Sequence, residues 1–218
     1  MSLVLASSSP RRIALLAATG VAFEAISSGV DERPPRRLGA LRYVAWAAAA
    51  KAEAVVPRRP RSIVIGADTE VVADGRIFGK PADEREAAAF LRALSGRRHQ
   101  VYTAIEVIDA QSGRRAHGIS RTHVTIRELS PQMIDAYVRS GEAQDKAGAY
   151  AIQGEGRSLV RSIQGPYDNV VGMPMRLLTR LLGEYGIELP SPVPDGVQHY
   201  VSAELRARPN QKLGGGRP

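Results

Sequence analysis

The residues best equipped for chemistry are Asp68 and Thr69, in Gly66-Ala67-Asp68-Thr69, and Lys80, in Gly79-Lys80-Pro81 one short hairpin later. The run Ile63-Val64-Ile65 ahead of them is apolar and β-branched, the pattern of a buried strand. Asp68 is therefore expected where a core strand opens into a loop, and α/β sheets hold ligands beyond the carboxyl ends of such strands. A carboxylate there, with a lysine about a hairpin away, suits a substrate made of metal and phosphate. Aspartate is also common in turns, so taken alone the pair reads as a loop cap and a surface charge. The other segments decide.

A second group lies near the start. Leu3 to Ala6 reads as a short strand, Ser7-Ser8-Ser9-Pro10-Arg11-Arg12 as a hydroxyl-rich loop, and Ile13 to Thr19 as a helix closed by Gly20. Ser9 suits the N-cap, Pro10 the first helical position and Gly20 the stop. A helix N-terminus offers free N–H groups and a positive dipole to an anion. Arg11 and Arg12 oppose that dipole, an arrangement that makes sense with an anion between them. Ser7, Ser9 and Arg12 are accordingly phosphate-binding candidates. Asp31 and Glu32 are loop carboxylates of the kind that hold a hard cation such as Mg2+. Lys51 lies in the second half of an alanine-rich helix expected from about Leu41 to Val56.

The elements between these groups follow from pattern. Phe23 to Ser27 alternates like a strand. Ala73-Asp74-Gly75 is a hairpin signal between Glu70-Val71-Val72 and Arg76-Ile77-Phe78, returning Lys80 toward Asp68. Asp83 to Leu94 is a helix opened by a capping box with Glu86 and stopped at Ser95-Gly96. His99 to Asp109 and Ile119 to Leu129 are long alternating strands paired around Gln111-Ser112-Gly113. Pro131 opens a helix to about Ser140. Asp145 to Gly154 breaks all periodicity, is glycine-spaced and polar at chosen points, and so looks like a loop lining a ligand. Leu159 to Ile163 is a strand, Gly165 to Asn169 a turn, and Met175 to Tyr185 the last helix. No internal repeat is present.

Composition bounds the partners. The chain has 218 residues, enough for one sizeable core, and no cysteine, which excludes disulfides and thiolate zinc sites. Its first residues are too short and insufficiently basic for a signal peptide, and no apolar run reaches membrane-spanning length, so a soluble cytoplasmic protein is expected. The net charge is +8. From Pro190 onward Arg206, Arg208, Lys212 and Arg217 face Asp195 and Glu204, which leaves +6 on the remainder. Its basic clusters are short, scattered and poor in aromatics, so nucleic acid is not the expected partner. There is neither a P-loop nor a Gly-x-Gly-x-x-Gly fingerprint after a strand. Residues 1–189 are expected to form one domain and 190–218 a disordered Pro/Gly-rich tail.

Taken in order, Ser7 to Arg12, Gly66 to Thr69, Gly79-Lys80-Pro81 with Leu94-Ser95-Gly96 and His99-Gln100-Val101, and Asp145 to Gly154 resemble the signature set of the Maf proteins. Val170-Val171-Gly172-Met173-Pro174 is similar to that family's closing motif, and the resemblance spans roughly residues 3 to 186. It implies an α/β fold, a mixed twisted sheet with flanking helices and two lobes around a nucleotide cleft, as in the inosine-triphosphate pyrophosphatases. It also implies hydrolysis of a nucleoside triphosphate to the monophosphate and diphosphate with a divalent metal. The family's proton acceptor falls on Asp68, and the positions associated with substrate choice fall on Arg11, Thr69 and Gln153. The uninterrupted Asp145 to Gly154 segment looks like the subgroup acting on dTTP and UTP, or on modified nucleotides, in a house-cleaning role. A homodimer is expected from the resemblance alone. Two positions depart from it: Glu70 where an aliphatic residue is usual, and Ala151 where glycine is usual.

Chemically, cleavage between the α- and β-phosphates needs charge neutralisation, an in-line water and a proton acceptor. The expectation is that Arg11, Arg12, Lys51 and Lys80 cradle the triphosphate while Glu32 and Asp68 hold Mg2+ or Mn2+. Gln153 can accept from the N–H and donate to a carbonyl of uracil or thymine, a pattern cytosine partly reverses. The competing class is a non-enzymatic nucleotide- or nucleic-acid-binding regulator linked to septum formation.

Overall fold

A computed structural model describes residues 2–32, 34 and 38–190. Seven strands form one mixed sheet. Strand β1 (Ser2–Leu5) lies parallel to both β2 (Glu24–Ala25) and β3 (Ser62–Ala73). Beyond β3 come β5 (Arg98–Asp109), β6 (Arg115–Ile126) and β7 (Val160–Gln164), each antiparallel to its neighbour, and β4 (Arg76–Phe78) pairs back on the end of β3. The helices are α1 (Pro10–Ala17), α2 (Ala40–Glu53), α3 (Glu84–Leu94), α4 (Pro131–Arg139), α5 (Tyr167–Val171) and α6 (Met175–Gly183).

Strand β3 is twice as long as its sequence suggests. Asp68 does not open a loop: it is mid-strand, opposite Ala104 of β5. The strand reading stops early because an aspartate is a poor strand former. What interrupts is β3's other edge. β1 pairs with residues 62–65 and β4 with 71–73, so the stretch 66–70 has β5 on one side and an open edge on the other. The carboxyl end of β1 marks the beginning of that gap, so the general rule about ligand placement holds for β1 while failing for β3.

Side chains alternate along β3. Val64, Gly66, Asp68, Glu70 and Val72 share the face covered by α2. The buried positions of α2 are Val44, Ala47, Ala48, Lys51 and Ala52, a helical stripe that includes a lysine. Helix and strand approach so closely at Gly66 that an added Cβ would lie 2.1 Å from the Ala48 carbonyl oxygen. Glycine is required there by space, and the close approach sets Lys51 against Asp68.

The opposite face carries two apolar cores. One joins Ile63, Ile65 and Ala67 to α1 and α6 through Leu15, Leu16, Leu178 and Leu182. The other joins Val71 and Ala73 to α3 and α4 through Phe90, Leu91, Leu94, Ile134 and Val138. Between them a band of hydroxyls, Thr69, Thr103 and Thr122, crosses three strands, and Asn169 of α5 lies on it. These cores are the two lobes, and the long strands run through both.

Helix α3 has the capping box in modified form: Asp83 accepts from the Glu86 N–H at 2.7 Å, while the Glu86 carboxylate takes the Ala82 N–H at 2.7 Å. Ser130 caps α4 as an ST motif would, accepting from Met133 N–H. Several boundaries differ from expectation. The strand over Phe23 to Ser27 shrinks to Glu24–Ala25, the strand expected over Ile119 to Leu129 runs instead over Arg115–Ile126, the one expected over Leu159 to Ile163 runs over Val160–Gln164, and part of the expected Gly165–Asn169 turn is the short helix α5. Apart from Pro190, the expected tail lies outside the described residues. Among the described residues no helix is long and apolar enough to cross a membrane.

Candidate active site

A cleft of about 660 Å³ opens where β3 has no neighbour. Its walls are the Ser7–Arg12 segment, residues between Ser27 and Glu32, Tyr43 and Lys51 of α2, Gly79-Lys80 and the Asp145–Gln153 loop. Ser7, Ser9, Arg11, Arg12, Glu32, Lys51, Asp68, Thr69, Lys80 and Gln153 are thereby brought together around this one space, while Asp31, the other loop carboxylate, is not among its lining residues.

At α1 the Ser9 side chain makes no capping bond, and Ser7 Oγ accepts the Ser9 N–H at 3.2 Å instead. The first intrahelical bond is Ile13 N–H to Ser9 O. The N–H groups of Arg11 and Arg12 precede it at the cleft wall, the geometry of an anion-binding helix end. Arg12 Nε donates to Gly172 O at 2.9 Å and Nη2 to Thr69 Oγ1 at 3.1 Å. Removal from solvent pulls the Arg12 guanidinium below its ordinary value, against the opposing pull of Asp68. Arg11 reaches across the mouth to Asp145, Nη1 to Oδ2 at 3.5 Å, and Lys146 pairs with the same carboxylate.

On the α2 side, Lys51 Nζ lies 2.6 Å from Asp68 Oδ1 and 3.0 Å from Glu32 Oε1. The expected role of Lys51 as a phosphate ligand is thus joined by a second one, as counter-ion to two carboxylates. Burial pushes Glu32 up, but Lys51, Lys80 and Arg12 outweigh it and hold the group below its ordinary value. Asp68 is 3 % exposed, and its Oδ2 is buried with no hydrogen-bond partner. Lys80 stands exposed at the cleft lip.

Glu70 is the residue whose importance sequence reading understated. It shares Asp68's strand face, is 6 % exposed and has a buried, unpartnered Oε2. Burial, followed by the charges of Asp68 and Glu32, raises it to about 8. Tyr43 of α2, missed altogether, donates to the Glu32 carbonyl at 2.9 Å and is itself raised by burial and the same three carboxylates. Its position eight residues before Lys51, two turns away on the same side of α2, was the available signal. Ala151, the other departure, is harmless: its N–H meets Tyr137 Oη at 3.0 Å, and the left-handed residues of the loop are Gly148 and Ala149.

Val101, Tyr150, Ile152 and Val170 give the lining an apolar part, and the buried Gln153 Nε2 lies beside the Tyr167 hydroxyl. A planar heterocycle with a carbonyl acceptor suits these groups, as an anion suits the start of α1.

A metal can be tested against the donors. Two buried carboxylate oxygens, on Asp68 and Glu70, lack partners, and an ammonium already bridges Asp68 and Glu32. Among the described residues no three acidic or imidazole groups converge on one point. That donor set fits a hard cation taking one or two carboxylates and completing its shell with phosphate oxygens and water, the habit of Mg2+.

An α/β sheet whose cleft offers an anion a helix end with arginines, and a flat polar ring an apolar lining with a carboxamide, defines a nucleotide-site class of protein. The family model described as Maf-like protein matches residues 2–185, and the chain belongs to that family. A protein of Moorella thermoacetica named dTTP/UTP pyrophosphatase is 47% identical over 187 residues, 86% of this chain and 96% of its own. Proteins of the same name from Deinococcus radiodurans (45% identical; 84% of this chain, 93% of its own) and Bacillus pumilus (42%; 85% and 97%) match similarly. Among solved structures, the Staphylococcus aureus Ham1 protein aligns over 85% of this chain and 97% of its own, with a TM-score of 0.46 and 15% identity.

Proposed function

We propose that this protein is a nucleoside triphosphate pyrophosphatase that hydrolyses dTTP and UTP to the monophosphate and diphosphate. The observation that carries the reading is the buried Asp68 carboxylate, with one oxygen fixed by Lys51 and the other unpartnered, facing a cleft with arginine and helix N–H groups. A pure phosphate binder gains nothing from a buried carboxylate there, because it repels the ligand. The names of relatives 42–47% identical over most of the chain support the same activity.

In this reading Arg12 and the N–H groups of α1 bind the triphosphate, with Arg11 and Lys80 closing on it from the two lips. Lys51 holds the Asp68 carboxylate in one orientation, so that Oδ2 accepts the proton of the attacking water. Asp68 and Glu32, with Glu70 beside them, would hold a divalent cation, and its chemistry when bound would be charge neutralisation and a lowered pKa for a bound water. Gln153 donates Nε2–H to a carbonyl of uracil or thymine, which cytosine matches less well.

The test is a nucleotide panel with Mg2+ or Mn2+, reading pyrophosphate and orthophosphate separately, with Asp68→Asn alongside. Pyrophosphate from UTP and dTTP, lost by at least about 100-fold in the variant, is expected. Orthophosphate instead of pyrophosphate, or an active variant, refutes the mechanism. Nucleotide binding without any product refutes the enzyme reading.

A further inference from the structure

The band of hydroxyls between the two cores has a direction. Thr103 Oγ1 donates to Asn169 O at 2.8 Å, and a hydroxyl has a single hydrogen to give. Its contact with Thr69 Oγ1 at 3.0 Å must therefore be an acceptance, with Thr69 as donor. Thr69 in turn accepts from Arg12 Nη2. Asn169 is anchored separately: Nδ2 donates to Val101 O and to Thr122 Oγ1, both at 3.0 Å, and Thr122 passes its own hydrogen to Pro166 O at 2.7 Å. Thr103, Thr122 and Asn169 are all fully buried, and none of the three borders the cleft.

From this chain we infer that Thr103 and Asn169 are positioning residues for the Arg12 guanidinium, acting through Thr69. Thr69 has no hydrogen left for a substrate, so its influence on substrate binding passes through the arginine it orients. Gly172 completes the clamp. Its carbonyl takes Arg12 Nε, and a Cβ at that position would sit 3.3 Å from Thr69 Oγ1 and 3.4 Å from Arg12 Nε. Arg12 is thus held at both Nε and Nη2 before any ligand arrives, which lowers the ordering cost of binding. Apolar residues at 69, 103 and 122 would join the two cores into one, so the polar band is not explained by packing.

The inference rests on the proposed function for its ligand, and the test separates the two. Thr103→Val keeps shape and removes the hydroxyl; Thr103→Ser keeps the hydroxyl. Each is made in the wild-type chain and in Arg12→Ala. The affinity of a UTP analogue with a non-hydrolysable α–β bridge is read by calorimetry, alongside KM, kcat and the melting midpoint. Thr103→Val is expected to raise Kd and KM about tenfold with little change in kcat, the loss of one well-aligned hydrogen bond's worth of orientation. Thr103→Ser should stay within about twofold of wild type, and Thr103→Val should add nothing once Arg12 is alanine. The inference falls if the tenfold loss persists in the Arg12→Ala background, if serine behaves like valine, or if Thr103→Val changes melting but not affinity. Analogue binding without hydrolysis by the wild type sinks the enzyme reading alone, and no binding at all by the wild type overturns both.

Discussion

Replacing Glu70 by glutamine keeps the shape of a protonated carboxyl group and removes its ability to ionise. In the wild type that ionisation is opposed by burial and by two neighbouring carboxylates, which lift the group from 4.5 to about 8. A carboxyl raised in the folded state binds its proton more tightly there than in the unfolded chain. Stability is therefore full below about 4.5 and falls as the pH rises toward 8. The slope is about 1.4 kcal/mol per pH unit for one proton, so from pH 5 to pH 7 the wild type loses roughly 2.7 kcal/mol that Glu70→Gln does not. For a fold of this size that is about 5–10 °C in melting midpoint. The comparison is made by thermal unfolding of both proteins with a chelator present, across pH 5 to 8. The two curves should lie together near pH 5 and separate steadily, with the variant the more stable. Excess Mn2+ should narrow the gap, because a cation beside the carboxylates favours the ionised form. Parallel curves, or a wild type that gains on the variant as pH rises, would refute the account of Glu70 as a buried acid held protonated by its neighbours.

Two further outcomes follow from the cleft. Lys51→Met leaves Asp68 and Glu32 without their counter-charge and should destabilise the fold by about 3 kcal/mol in urea titrations; adding Asp68→Asn should recover much of that loss, and strict additivity would mean the ion pair is not what holds them. Gln153→Leu should lower kcat/KM for UTP by about tenfold while leaving CTP nearly unchanged, and an unchanged UTP-to-CTP ratio in steady-state kinetics would remove Gln153 from base recognition.

Much of this site can be read in the chain because its parts lie in short local motifs. Ser7 to Arg12 and Asp145 to Gly154 announce themselves by composition, and the capping residues Asp83 and Ser130 behave as their types require. The readings that failed are non-local. Nothing near Asp68 shows that β3 continues through it, since the evidence for continuation is the paired strand β5, some thirty residues later. Lys51 and Asp68 meet because Gly66 admits α2 at close range, a relation between two elements. The Thr69–Thr103–Thr122 band carried a weaker signal. These threonines sit at the inward parity of their strands, where the neighbours two residues away are apolar except for Ser120 beside Thr122, and alternation reads a threonine as a solvent-facing residue by default. Glu70 gave the clearest hint, since strand parity alone puts it on Asp68's face.

The placement of Asp68 within a long central strand has a consequence for how the molecule fails. Strand β3 is held along its length by β5, and the face bearing Asp68 and Lys51 is sealed by α2. The Asp145–Gln153 segment, by contrast, is an irregular loop tied at its mouth by an ion pair whose carboxylate, Asp145, is exposed. Local opening starts in such loops and reaches central strands last. On gradual heating, discrimination between bases should therefore fade before hydrolysis itself does, so that the protein passes through an indiscriminate phase before it stops working.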